Sequence, residues 1–538
     1  MFAKRVGVPG VIASLFLAVA CGEGSSGESA PPVGQDASAG GTGAQAGSSG
    51  QAGSAGSTAG SSAGGSAGDA GGAAGMGGAA GADDAGDGAV PDAEPPCTGP
   101  NCPAIWAGVW GDGTADQYAR GIASDATGSA WLVGEFRGAL KIGDLEPLAS
   151  AGLGTSDGFI AKLDFDGKPL WSIQFGDAQD QGCAAVAVAP TGDISIAGSY
   201  LGSLVLKPPS GVGGLSMPAA GLNTRGLIAR LDKDGAPAWG KSISLSGADI
   251  KLSSVAVDLA GSTIAAGYSD DLGQANDKDV YVLRFDPSGT HQWTFKNEDP
   301  LDQKASTVAA DKTGSVWVTG SFDTKLTPTP PCGDLAGAGL DAFVLRLSTT
   351  GACLLAKGWG DAAEQVGEGL AVDSTGAGIL CGSFHGTIDF GLGVLTAPAN
   401  AYALYVVRLG SDGVPVWASS FGSSSSRYSC TVATDSKDNA IVTGSFSGTA
   451  DFGSGPLVSL GARSTFLTKF DVAGKLVWSR MIGAADASVI GQVSSGVATH
   501  AATQRIYLGG FGDGTFTFGS GTIPSAGMAD VFVAAFQP

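Results

Sequence analysis

The chain has 538 residues, 90 of them glycine, with only 15% charged residues and a formal net charge of −21. This acidic balance, without clustered Lys and Arg, excludes nucleic acid as a natural partner, because phosphate binding needs such clusters. The imbalance is spread out: residues 22–96 hold nine Asp and Glu and no Lys or Arg, and residues 97–538 hold the other 41 acids against 27 bases.

Residues 1–21 read as an export signal. Lys4 and Arg5 form the charged start, and Val11 to Ala20 is an apolar run too short to span a bilayer. The run ends in Leu17-Ala18-Val19-Ala20-Cys21-Gly22. This resembles the lipobox of bacterial lipoproteins, with Leu17 four residues before the Cys where the pattern has three. The resemblance implies lipidation of Cys21. Gly22 resembles the residue that follows the Cys in lipoproteins sorted to the outer membrane. The expected address is therefore the outer membrane or cell surface of a Gram-negative bacterium, with membrane contact only through the anchor. No later segment is apolar enough to span a bilayer.

Residues 22–96 are almost entirely Gly, Ala and Ser. Such a segment cannot bury enough apolar surface to offset its ordering entropy. It is expected to be a disordered tether with an r.m.s. span of about 50 Å. Residues 97–104 follow as a small Cys loop. Exported chains keep disulfides, and Gly99-Pro100-Asn101 supplies a tight turn between Cys97 and Cys102. Cys332 and Cys353 are a second candidate pair. Cys381 and Cys430 read either as a third pair or as buried thiols, and Cys183 is then odd.

From about residue 105 the pattern becomes a repeat. Trp106, Trp171, Trp239, Trp293, Trp417 and Trp478 mark starts, and Ala356 is expected in the double gap. Seven starts have a mean spacing of roughly 62 residues, a length that points to repeat architecture. Three signatures travel with each. The first is an apolar strand ending in Asp, as at Asp125, Asp258, Asp311, Asp373 and Asp435, with Pro190 and His500 expected at that place in repeats two and seven. The second is a strand ending in Gly and an aromatic: Gly134 and Phe136, Gly198 and Tyr200, Gly320 and Phe322, Gly382 and Phe384, Gly444 and Phe446, Gly509 and Phe511, shortened to Gly267-Tyr268 in repeat three. The third is a hairpin whose turn carries Asp-Gly, as at Asp166-Gly167, Asp234-Gly235 and Asp412-Gly413.

Each repeat thus holds about four short strands, apolar on both sides, with no helical period. Repeat seven stops after its third strand, and Ile105 to Trp110 supplies a spare strand at the start. The expected fold is all-β: a seven-bladed β-propeller over 105–538, of four-stranded blades, closed by the N-terminal strand. These repeats resemble the SBBP (seven-bladed β-propeller) repeats of bacterial surface proteins. Gly386-Thr387-Ile388-Asp389-Phe390-Gly391, Gly448-Thr449-Ala450-Asp451-Phe452-Gly453 and Asp341-Ala342-Phe343-Val344 carry the likeness together with the signatures above. It implies the fold and no particular activity.

In a propeller the loops between strands two and three share a face with the links from blade to blade. The long loops 201–224, 323–340 and 385–401 are of the first kind, and binding usually sits on such loops. The links repeat an acid before Asp/Glu-Gln: Asp112 with Asp116 and Gln117, Asp177 with Asp180 and Gln181, Asp299 with Asp302 and Gln303, Asp361 with Glu364 and Gln365. Two readings stand. Each acid caps a turn, or the set forms a carboxylate ring at the channel mouth that could hold Ca²⁺. No other cofactor is expected. The segments ending at Trp171 and Trp478 resemble the tryptophan-docking motif of quinoprotein propellers in their Gly-to-Trp spacing, and packing between blades also accounts for them. Lys162, Arg230, Arg284, Arg346, Arg408 and Lys469 share one repeat position, with Ala535 the exception, and read as paired structural charges. His291, His385 and His500 fall in different repeats and do not suit a zinc site. No nucleophile elbow, phosphate loop or dinucleotide fingerprint is present. The expected function is a monomeric surface protein that binds a protein or glycan. The rival is an exported lyase or hydrolase using the mouth carboxylates.

Overall fold

The computed structural model describes residues 102–538, apart from 220, 272–276, 329, 425–426, 484–489 and 520. The expected signal, Cys21, the tether and Cys97 lie outside them. Every regular element among the described residues is a strand. Blade one is the antiparallel sheet Gln117–Ser124, Ala130–Phe136, Asp157–Leu163 and Pro169–Phe175, paired in chain order from the innermost outward. Blades two to six repeat it, their first strands beginning at Gln181, Ala248, Gln303, Gln365 and Ser429. Blade seven supplies Gln492–Thr499, Ile506–Gly512 and Asp530–Phe536. Its outer strand is Trp106–Trp110, with Trp106 opposite Ala535 and Trp110 opposite Val531. The expected all-β, seven-bladed propeller closed by the N-terminal strand is borne out.

The blades are locked by the outer strand of each one. In five of them a Trp lies across the glycine of the next blade's outer hairpin turn. Trp106 faces Gly167, Trp171 faces Gly235, Trp239 faces Gly289, Trp293 faces Gly351 and Trp417 faces Gly474. These glycines hold φ near +80°, and a Cβ at Gly167 would strike the Trp106 indole. Four of the indoles also donate Nε1–H to a carbonyl of the same turn: Trp106 to Phe165 at 3.1 Å, Trp239 to Pro287 at 3.0 Å, Trp293 to Thr349 at 2.9 Å and Trp417 to Val472 at 3.1 Å. At Trp171 the docking resemblance thus describes a real contact between blades, whereas Trp478 packs in the core between blades six and seven with Arg480 4.2 Å from its ring. The double gap is filled by Leu355, which faces Gly413 and pairs with Arg346, rather than by Ala356. The place is hard to count without a Trp to mark it, and Leu355 follows Gly351 by four residues just as Trp171 follows Gly167.

The recurring cations serve the same seam. Lys162 and Lys469 reach Asp125 and Asp435 at 3.7 and 2.9 Å, and Arg346 reaches Asp311 at 2.5 Å. Arg284 pairs with Asp258, and Arg408 with Asp373. Arg230, Arg284 and Arg408 also donate to the carbonyls of Gly261, Gly314 and Asp438 in the following blade. In repeat two the acid's place belongs to Ala189, not Pro190, because Ala189 makes the turn bonds to Asp193 and Gly192. Asp193, at the far end of that turn, supplies the carboxylate for Arg230 at 3.2 Å. Blade seven has neither member of the pair, with His500 and Ala535 in their places. Its seam with blade one is instead held by Arg505 over the Phe165 ring at 3.5 Å, by its bond to the Phe165 carbonyl, and by Tyr507 O–H to Gly128 at 2.6 Å.

The second signature also slips in two blades. Ser269 and Gly512 hold the register place that Phe136 holds in blade one. Tyr268 and Phe511 therefore alternate to the other side of their strands. The Phe390 and Phe452 motifs form short hairpins that wedge between blades: Phe390 lies 5.1 Å from Trp359, and Phe452 lies 5.2 Å from Phe421. Cys332 bonds Cys353, Cys381 bonds Cys430 across blades five and six, and Cys183 is a buried free thiol. Cys102 is disulfide-bonded to a residue outside the described set.

Trp239→Ala is expected to destabilise the protein by about 3–5 kcal/mol, and Gly289→Ala by about 1–3 kcal/mol through overpacking of the same contact. Chemical denaturation of both variants checks this, and a neutral Gly289→Ala would show that the indole does not rest on that turn.

Candidate functional site

The links between blades open with the recurring acids, and each first acid is occupied by its own blade. Asp112 accepts from the backbone N–H groups of Thr114, Ala115 and Ala139 at 2.8 to 2.9 Å. Asp177 and Asp361 accept from the hydroxyls of Ser203 and Thr387 at 2.8 and 2.6 Å, and Asp299 from Thr327 at 2.8 Å. The glutamines complete the clamp. Gln117, Gln181 and Gln365 are buried, and their Nε2 groups donate to Asp112, Asp177 and Asp361 at 3.2, 2.8 and 2.7 Å. Gln303 donates to the Pro300 carbonyl at 2.9 Å. Burial works to raise these carboxyls. Donors from Ala139, Thr114 and Ala115 nevertheless bring Asp112 down to about 2, and donors from Thr387 and Ala363 bring Asp361 to about 2.

The second acids reach across to other elements. Asp116 accepts from Ala529 N–H of blade seven at 3.4 Å, and Asp180 from Ser156 N–H and O–H of blade one at 3.0 and 3.2 Å. Asp302 pairs with Lys278 of blade three at 3.4 Å and with Lys304 at 3.3 Å. Glu364 pairs with Arg427 at 2.6 Å and accepts from Tyr402 O–H at 2.7 Å. The structure thus gathers these residues blade by blade. Among the described residues no group of three or more His, Cys, Asp or Glu converges as a metal site would require. His291, His385 and His500 stay in separate blades.

A set of acids outside the recurring link pattern lies beside them. Asp157, Asp279, Asp341 and Asp530 share one register place in the third strands of blades one, three, four and seven, and all are buried. Each leaves its Oδ1 without a hydrogen-bond partner. In three junctions that oxygen and the Oε1 of Gln181, Gln365 or Gln117 converge over Gly176, Gly360 or Gly111, where a Cβ would collide with both. Every blade with Asp at that place is followed by one whose first strand opens with Gln. The signal was present as an Asp five residues before the strand-three position of Lys162, Arg284, Arg346 and Ala535. Its partner is in the next repeat, so it carries no meaning within one repeat. Burial raises Asp157, Asp279 and Asp341 to about 6, and raises Asp530 too.

Between blades one, two and three the same face opens into a pocket of about 190 Å³, roughly six water volumes. Asp116, Tyr118, Glu135, Arg137, Asp180 and Lys251 contribute its chemistry. Tyr118 is fixed edge-on to Phe511 at 4.7 Å, and the Arg120 guanidinium lies 4.6 Å from the Tyr118 ring. Arg120 pairs with Glu135 at 2.6 Å. It is lifted toward the channel by a bulge between Ala119 and Gly121. Of the expected site residues, Asp116, Asp180 and Gln181 line this pocket. Tyr118, Glu135, Arg137 and Lys251 were not expected, because they lie outside the recurring link motif and Lys251 joins the other three from another repeat.

No protein-family model matches the chain, and no curated protein sequence does. Solved structures similar to it include a mitotic checkpoint complex chain, at 8% identity, covering 84% of this chain and 97% of that one, with a TM-score of 0.40. Sqt1 from Chaetomium thermophilum aligns at 10% identity, 81% and 99% coverage and a TM-score of 0.40. A catalytically inactive virginiamycin B lyase from Staphylococcus aureus with quinupristin aligns at 9% identity, 80% and 99% coverage and a TM-score of 0.36.

The raised acids have a signed consequence. A carboxyl held at about 6 contributes stability below its unfolded value, near 4, and loses it as pH rises through 6. Asp341→Asn is therefore expected to raise the melting temperature relative to wild type at pH 7.5 and to give no gain at pH 4. Calorimetry at the two pH values decides it, and an equal shift at both would exclude titration of Asp341 as the cause.

Proposed function

We propose that the chain is an exported surface protein that binds a glycan through the loop face of its propeller, without catalysing a reaction. The single observation that supports this most is the pocket between blades one, two and three, a small polar concavity with an aromatic wall, set on a face stiffened by clamped loops. Concave sites with a few convergent polar groups on a rigid scaffold are where small ligands bind. The lipobox-like segment at Cys21 and the Gly-rich residues 22–96 support an anchored, tethered placement at the cell surface, and the repeat signatures support an SBBP-type protein. A protein partner on the same face is the alternative ligand.

A second reading has one observation in its favour. Asp116, Glu135 and Asp180 bring three carboxylates into one pocket, and paired carboxylates serve glycoside cleavage. Glu135 is committed to Arg120, and Asp180 to Ser156, so binding is the stronger conclusion.

A thermal-shift screen against soluble glycans and divalent cations, beside a turnover assay on the same glycans, tests both. A ligand at a hundredfold excess over Kd stabilises by about 2.7 kcal/mol. A glycan is expected to raise the melting temperature without being cleaved. Repeated cleavage of that glycan would replace binding by hydrolase or lyase activity, and a shift by Ca²⁺ alone would move the site to the link carboxylates.

A further inference from the structure

We infer that the pocket takes the acidic residue of a glycan, a sugar ring bearing a carboxylate, and that Arg137 reads its charge. This rests on the glycan-binding reading and names its ligand class. The argument begins with what is already satisfied. Each pocket carboxylate has a partner. Glu135 Oε1 is held by Arg120 at 2.6 Å, Asp180 Oδ1 by Ser156 at 3.0 Å, and Asp116 Oδ1 by Ala529 at 3.4 Å. Their charges are met or capped, and all three carboxylates line the pocket. Such oxygens accept from neutral hydroxyls and do not need a ligand cation.

Arg137 is the opposite case. Its backbone is pinned, with N–H donated to the Asp116 carbonyl at 2.9 Å and its own carbonyl accepting from Gln117 Nε2 at 3.2 Å. Its guanidinium, half-buried at the pocket wall, is in no ion pair among the described residues. The cations Arg230, Arg284, Arg346 and Arg408 are all paired with acids. A planar fork left over in a concave site suits a carboxylate bidentately, and Lys251 adds positive potential from blade three.

One ring must therefore supply hydroxyl donors to acceptors and an anion to a guanidinium within about 190 Å³. A sugar acid carries both on a single six-membered ring. An acidic peptide would offer the anion with few O–H donors, and a neutral sugar would leave Arg137 unanswered. Tyr118 supplies the apolar wall for the ring's C–H face.

The experiment is calorimetric titration of the full chain with short oligomers of galacturonate, of alginate uronates and of hyaluronate, each beside its methyl ester, which removes the charge and keeps the hydroxyls. At least one free acid is expected to bind, with its ester about tenfold weaker or worse, and with affinity falling as salt is raised. Arg137→Ala is expected to cost that acid about tenfold or more in Kd, and Arg137→Lys to recover part of it. Circular dichroism and the unliganded melting temperature show that both variants fold. Esters binding as well as acids, with Arg137→Ala silent, would overturn the acidic specificity and leave glycan binding standing. Failure of every acid and ester would overturn both. Binding of glycine or acetate as tight as the best oligomer would assign the pocket to small free ions and overturn the sugar.

Discussion

An indole laid across a glycine turn holds this ring together. A four-stranded blade is a small sheet with two apolar faces, and it is stable only between neighbours. At six junctions the outer strand of a blade meets the next one where the chain turns at positive φ, and only glycine lets the side chain approach that turn. The contact buries an aromatic face and, at four junctions, satisfies the indole N–H with a turn carbonyl. Leu355 shows which part is essential: it keeps the apolar contact with Gly413 and forgoes the hydrogen bond.

Charge is organised around the same seams. The strand-three cations and the turn acids on one side of the ring are neutralised in place, and several of those cations also reach a carbonyl of the next blade. On the loop side, two kinds of carboxyl sit close together and are pushed in opposite directions. Asp361 is surrounded by donors and held at about 2, while Asp341, in the same junction, is raised to about 6 by burial and by the Asp361 charge beside it. One glutamine touches both, donating to the first and turning its oxygen toward the second. The loop face is thus stiff because its polar groups are spent on the fold, which is why the pocket beside blade two stands out as the place where polar groups converge on open space.

The pocket owes its position to irregularities. Blade one carries Arg120 at its bulge, and blade seven, like blade three, holds its aromatic one place earlier than blade one does, which turns Phe511 toward Tyr118. Regular repeats build a symmetrical ring, and a ligand site needs the symmetry broken. Here it is broken next to the closing seam, where His500 and Ala535 have also replaced the usual acid and cation.

The residues alone determined the architecture: strand count, the turn glycines, the Trp ruler and the closing role of Ile105 to Trp110 are local patterns repeated along the chain, and repetition makes a local pattern legible. They also placed the cations and the link acids, although they left open whether those acids cap turns or gather at the channel mouth. Only the tertiary structure decided that Leu355 and not Ala356 takes the place of the missing Trp, that Asp193 stands in for the acid missing at Ala189, and that Asp157, Asp341 and Asp530 meet glutamines of the next blade. It alone assembled Tyr118, Glu135, Arg137, Asp180 and Lys251. The physical reason is distance along the chain: each of these relations joins side chains far apart in sequence, across a seam or across one sheet, and no local pattern encodes such a meeting.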